Sequence, residues 1–160
     1  MGQTEGRSPS QSAIETTYVL MPNQTNHYGT AFGGVIMSWI DMVAGMCAQR
    51  HCGRQVVTAA IDSLAFREPI RIGEHVILRA QVNYAGTTSM EVGVQVMYEH
   101  PVTGRKGLAT TAYLTFVAVD ENQQPTPVPP LVPQTDEEKR RYNEAIARVA
   151  ARKRMRGRPA

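Results

Sequence analysis

The stretch Gly33-Gly34-Val35-Ile36-Met37-Ser38-Trp39-Ile40-Asp41-Met42-Val43-Ala44-Gly45-Met46-Cys47-Ala48 decides the fold. Its apolar run of some fourteen residues from Val35 is too long for a typical strand and too short to span a bilayer. It predicts a helix buried nearly all round, and such a helix needs a sheet wrapped about it. Gln49, Arg50 and His51 turn the pattern polar and mark the expected end, with no histidine on the helix itself.

The segments on either side supply the sheet. Thr17 to Met21 is a short apolar stretch closed by Pro22-Asn23, enough for one strand. Four extended segments follow the helix: Gln55 to Phe66, His75 to Tyr84, Ser89 to Glu99 and Leu108 to Val119. Val76, Leu78, Ala80, Val82 and Tyr84 alternate with mainly polar residues, as do Met90, Val92, Val94, Val96 and Tyr98, so one face is buried and the other wet. Turn chemistry separates them at Pro69 and Gly73, at Ala85 to Thr88, and from His100 to Gly107. The expected fold is therefore α+β, an antiparallel five-stranded sheet curled around a central helix. A single such layer leaves part of the helix and one sheet edge uncovered, and dimerisation is the expected remedy.

The expected organisation is a disordered start over residues 1–14, a domain over 15–121, a proline-rich connector over 122–134, and a helix with a basic tail over 135–160. Five of the nine residues from Pro125 to Pro133 are proline, which favours extended geometry. Thr135 and Glu138 form a capping box, and Tyr142, Ala145, Ile146 and Val149 recur at helical spacing. Beyond Ala151 the sequence reads as disordered.

At 160 residues and 42% hydrophobic content the chain fits one domain. No apolar run near the start suits a signal peptide or membrane span, so a cytoplasmic protein with no membrane partner is expected. Cys47 and Cys52 show neither zinc spacing nor a disulfide framework, so two reduced thiols and no metal are expected. Net charge is +3, yet Asp136 to Ala160 alone carries nine Lys/Arg against four Asp/Glu. The basic excess is confined to the tail, which argues against nucleic acid as the partner.

Two features of the helix carry chemistry. Asp41 sits among Trp39, Ile40, Met42 and Val43, and burying an unpaired carboxylate costs several kcal/mol, on the order of the desolvation of one ion. It is either a paired structural group or a tuned general base or nucleophile. Gly33-Gly34 brings unpaired amides and the positive end of the helix dipole together, an arrangement suited to an oxyanion. Upstream, the Asn26 side chain can orient water or donate to a carbonyl oxygen, while neighbouring His27 reads as a solvated loop residue.

Thr25-Asn26-His27-Tyr28-Gly29, Phe32-Gly33-Gly34, Met37-Ser38-Trp39-Ile40-Asp41 and Ala44-Gly45 together resemble the signature of hotdog acyl-CoA thioesterases of the YciA and brain cytosolic acyl-CoA hydrolase type. Arg50-His51-Cys52, Val56-Val57-Thr58, Asp62, Phe66, Pro69-Ile70, Gly73 and Phe116-Val117-Ala118-Val119 extend the likeness from about Tyr18 to Asp120. The resemblance implies hydrolysis of acyl-CoA to free acid and coenzyme A, with no cofactor beyond the coenzyme A of the substrate. It also implies a homo-oligomer, a dimer at least and a hexamer as a trimer of dimers. Asp41, Asn26, Gly33 and Gly34 would be catalytic, with Asp41 facing the partner's Asn26. Gly86, Thr87, Thr88, Ser89, Thr58 and Arg54 would bind coenzyme A, although Thr87 stands where the family usually has a basic residue. Alternatives are a non-catalytic acyl-CoA sensor and a hotdog thioester dehydratase; the latter needs a histidine opposite a carboxylate.

Overall fold

The computed structural model describes residues 5–62 and 64–157. The elements run α1 (Pro9–Ser12), β1 (Ile14–Val19), a 3-10 turn (Pro22–Gln24), α2 (Gly33–Cys52), β2 (Gln55–Ile61), β3 (His75–Ala85), β4 (Ser89–Glu99), β5 (Lys106–Val119) and α3 (Asp136–Arg156). The five strands form one antiparallel sheet in the order β1-β3-β4-β5-β2. This is the hotdog arrangement: the alternating residues Val76, Leu78, Ala80, Val82 and Met90 to Tyr98 all turn inward onto α2. Register enforces it, because Leu78 pairs with Val96 and Val82 with Val92, so each inward row is continuous across strands.

The helix departs from expectation in two ways. It has twenty residues rather than fourteen, since His51 and Cys52 are buried in a last turn that Gly53 ends in left-handed geometry at φ 65°. It is also buried on one side only. Ile36, Trp39, Ile40, Val43, Ala44, Cys47 and Ala48 pack inward, with Trp39 stacked on Tyr18 at 4.4 Å, while Met37, Met42 and Met46 stand exposed on the other side. The apolar residues on both faces hid this division from the sequence pattern. The strand β2, with Val57 and Ile61 exposed, forms one edge of the sheet and β1 the other.

Both chain ends that were expected to be loose are tied down where they are described. Residues 5–14 are not frayed: Ser8 and Ser12 are buried, and the Arg7 guanidinium donates to the carbonyls of Arg50 and His51 at the end of α2. Residues 1–4 lie outside the described residues. The proline-rich segment is no free spacer. Thr126 N donates to Ala118 O, Val128 N to Thr87 O and Val132 N to Arg7 O, at 2.9 Å each. Prolines at 125, 127 and 129 leave the intervening amides to bond along one edge, as an edge-strand proline must. His51 fixes this strap from below, its Nε2 lying 2.9 Å from Pro129 O.

Helix α3 continues to Arg156 rather than fading after Ala151, and the capping box at Thr135 and Glu138 is present. Its apolar contribution is small, Ala145 being its only buried hydrophobic residue. Charge helps to hold it. Glu91 of β4, on the outer sheet face with 1% side-chain exposure, accepts from Arg148 at 2.7 Å and from Arg152 at 2.5 Å, and Arg152 also reaches Asp62 at 3.0 Å. The Arg148 guanidinium lies 3.7 Å from the Tyr113 ring centroid. Two of the basic residues, Arg148 and Arg152, are thus spent inside the fold, while Lys139, Arg140, Lys153, Arg154 and Arg156 stay exposed; residues 158–160 lie outside the described residues.

Replacing both Arg148 and Arg152 by Ala should lower unfolding stability by about 3–5 kcal/mol in urea titration, because Glu91 stays buried without a counter-charge. Burial of His51 beside Arg7 holds its imidazole below the ordinary value near 6.5, so the folded chain keeps it neutral. The unfolded chain takes up the proton first, so this contribution is full above pH 6.5 and is lost as pH falls below it. The fall in melting temperature between pH 7 and 5 should shrink in His51→Gln, which keeps a donor for Pro129 but cannot titrate.

Candidate active site

Asp41 stands at the midpoint of α2, on the line where its packed face meets its bare one. It is partly exposed rather than buried, and among the described residues it makes no ion pair. Its one side-chain partner is Thr58, whose hydroxyl donates to Asp41 Oδ1 at 2.8 Å. Thr58 reaches it because it pairs with Phe116, an inward residue, and directly opposed residues share a face. The register then slips between Thr58 and Ala60, a bulge that bends the free strand right beside the carboxylate. Oδ1 is held and Oδ2 is open.

Asn26 occupies the loop that feeds α2. Its Oδ1 accepts from Tyr28 N at 2.9 Å and its Nδ2 donates to Thr30 Oγ1 at 2.8 Å, a turn completed by Gly29 at φ 78°. An amide nitrogen has two hydrogens, so one donor of Nδ2 remains. His27 is exposed, its ring tilted by 40° against that of Tyr28 at 3.8 Å. At the helix start, Phe32 gives no side-chain cap, and Val35 and Ile36 both donate to Phe32 O. The amides of Gly33 and Gly34 have no acceptor among the described residues, as the first turn of a helix requires. A Cβ on Gly34 would come within 2.8 Å of the Phe32 ring, which packs against the glycine.

Eight residues separate Gly33 from Asp41, roughly 12 Å along the axis at 1.5 Å per residue. One carbonyl group cannot touch both within a chain. Asn26 and the Gly33-Gly34 amides lie at the N-terminal end of α2, and Asp41 with Thr58 at its middle.

The remaining expected residues lie near the opposite end. The turn Gly86 to Ser89 closes through Gly86 N to Ser89 O at 2.8 Å, and its carbonyls at Thr87 and Thr88 accept from Val128 and Ala118. Ser89 and Val57 both pair with Val117, so the turn lies two strand spacings, about 10 Å, from the start of β2, where Arg54 is exposed. Thr58, expected with this set, sits with the carboxylate instead. That hydrogen bond is the feature of the site that sequence reasoning missed, since it joins positions 17 apart through tertiary packing alone.

Other reactive groups are set apart from this cleft. His51 does lie on α2, contrary to expectation, but in its last turn, ten residues or about 15 Å beyond Asp41 and engaged with Pro129. It faces no carboxylate, and the dehydratase reading gains nothing. Burial pushes the Cys47 thiol up to about 12, and Cys52 is raised for the same reason. Among the described residues no three His, Cys, Asp or Glu gather as a metal set, and no helix is long and apolar enough to cross a membrane.

Comparison with known proteins fits this geometry. The thioesterase superfamily profile matches residues 28–104. A Bacillus subtilis protein named as an uncharacterized acyl-CoA thioester hydrolase, YkhA, is 45% identical over 96% of this chain and 89% of its own length. The chain belongs to the thioesterase superfamily. Human cytosolic acyl coenzyme A thioester hydrolase is 32% identical over 90% of the chain, which spans only 38% of that longer protein. Among solved structures, the Staphylococcus aureus acyl-CoA hydrolase bound to butyryl coenzyme A, coenzyme A and coenzyme A disulfide is 43% identical, with a TM-score of 0.89 over 94% of this thioesterase and 92% of that chain. An apo-hexameric acyl-CoA thioesterase is 41% identical, with a TM-score of 0.93 over 97% and 99%. The Staphylococcus aureus enzyme has also been solved with an aspartate, an asparagine or a threonine replaced by alanine.

Proposed function

We propose that this chain hydrolyses acyl-CoA thioesters to a free acid and coenzyme A, at a site shared by two subunits. The observation that carries the reading is the separation of the helix-start amides from Asp41 and Thr58, about 12 Å along one helix. Two α2 helices packed antiparallel across a twofold axis beside Met37 and Ser38 bring Asp41 of one protomer level with the partner's Gly33. Met37, Met42, Met46 and the free edge of β2 are then covered.

In this arrangement the thioester oxygen accepts from the partner's Gly33 and Gly34 amides and from the partner's Asn26. Asp41, oriented by Thr58, either attacks the carbonyl carbon or takes a proton from the water that does. Both routes place negative charge on the same oxygen, which the helix-start amides stabilise, and expel the coenzyme A thiolate. Arg54 with the Gly86 to Ser89 turn is proposed for the phosphates of coenzyme A, which enters only as part of the substrate. The aspartate, asparagine and threonine varied in the Staphylococcus aureus enzyme are the residue types of Asp41, Asn26 and Thr58.

The hexameric relative supports a hexamer, which a shared two-chain site would build as a trimer of dimers, to be read by sedimentation as six chains of 17.6 kDa. The free thiols Cys47 and Cys52 favour the cytoplasm as the compartment.

Thiol release from a series of acyl-CoA esters tests the activity. Asp41→Asn should lose roughly 10²–10⁴-fold in kcat, the usual worth of a positioned acid–base group. Thr58→Val should lose about tenfold, one hydrogen bond to a charged group, and Thr58→Ser should recover most of it. Full turnover by a folded Asp41→Asn protein would refute the assignment.

A further inference from the structure

A cavity of about 350 Å³ opens beside the first turn of α2, lined by Ala31, Gly33, Ile36, Phe66 and Ile70 with polar residues at the rim. Its volume is in the range of small-molecule sites. The floor is apolar and rigid, since Ile36 and Ile70 are 1% and 2% exposed. Phe66 differs from them: it lies at the mouth and is 48% exposed. The backbone on each side of it is fixed, Thr110 Oγ1 donating to Ala65 O and Arg67 N to Ala109 O, both at 2.8 Å. A bulky apolar ring therefore stands at the mouth on an anchored backbone, and it leans over the helix start, where a Cβ on Gly33 would lie 3.7 Å from it.

We propose that Phe66 sets the acyl-chain length this thioesterase accepts, capping a cavity that takes the acyl tail. The inference rests on the proposed thioester hydrolysis. A carbonyl oxygen held by the Gly33 and Gly34 amides leaves its acyl carbons at the cavity mouth, where Ala31 and Phe66, with Ile36 and Ile70 packed behind them, offer an apolar wall. The cavity can hold only a limited length of acyl chain. Longer chains must displace the ring.

The test is kcat/KM over acyl-CoA esters from C2 to C16 for the wild type, Phe66→Ala, Phe66→Leu and Ala31→Leu. The wild type should decline towards the long end of the series. Phe66→Ala should raise the C14-to-C4 ratio about tenfold or more, as expected when methylenes gain an apolar site, with Phe66→Leu between. Ala31→Leu, which grows into the cavity, should lower the C8-to-C2 ratio. A wild type that cleaves the series while all four proteins keep one length profile overturns the role of Phe66 alone. A wild type that cleaves no member overturns the hydrolase reading and this inference with it.

Discussion

The hydrogen bond from Thr58 to Asp41 ties the free strand of the sheet to the middle of the central helix at the boundary between packed and bare surface. A carboxylate deep in the packed face would have needed a cation or a proton. One placed fully on the bare face would have been an ordinary solvated group. At the boundary it is partly exposed, one oxygen held by Thr58 and the other open. The helix-start amides stand too far along α2 to meet the same carbonyl within one chain.

The peripheral segments serve the position of that helix. Arg7, the strap from Thr126 to Val132 and the ring of His51 converge on the last turns of α2, while the Tyr18–Trp39 stack holds its middle against β1. On the outer sheet face Glu91 gathers Arg148 and Arg152 and draws α3 down where little apolar surface is available. Two guanidinium groups accompany Glu91 into its buried position, and Ala145 with the Tyr142–Tyr84 ring pair adds apolar contact, so the attachment of α3 is partly ionic.

Legibility in the sequence tracked how local each signal was. Alternation in β3 and β4 reports a two-residue period and located the inward rows from Val76 to Val82 and from Met90 to Tyr98, but it failed at Tyr84, which a bulge after Val82 sets opposite the outward Glu91 and against Tyr142 of α3. The helix was visible from its length and apolar content, but not its one-sided packing, because Met37, Met42 and Met46 are as apolar as the residues they oppose. Its polar-looking end misled for a related reason: His51 is buried by a strap nearly eighty residues away, |i−j| = 78, that no local pattern announces. Prolines read as a spacer because their spacing predicts extended chain, and extended chain is also what an added edge segment needs. Asp41, Asn26 and the glycine pair could be singled out by residue type, whereas the bond from Thr58 and the cap at Phe66 depend on the bulge after Thr58 and on the path of residues 64–70 along β5.

The central claim, a site completed across two chains, is tested most directly by mixing defects. Chains carrying Asp41→Asn and chains carrying Asn26→Ala, differently tagged, are co-expressed and purified through both tags, then assayed for thiol release beside each parent. The shared site predicts recovery well above either parent, because each mixed dimer pairs an intact Asp41 with an intact Asn26 once. Activity no greater than that of the two defective parents would mean that both residues act within one chain, and the arrangement drawn from α2 would be wrong.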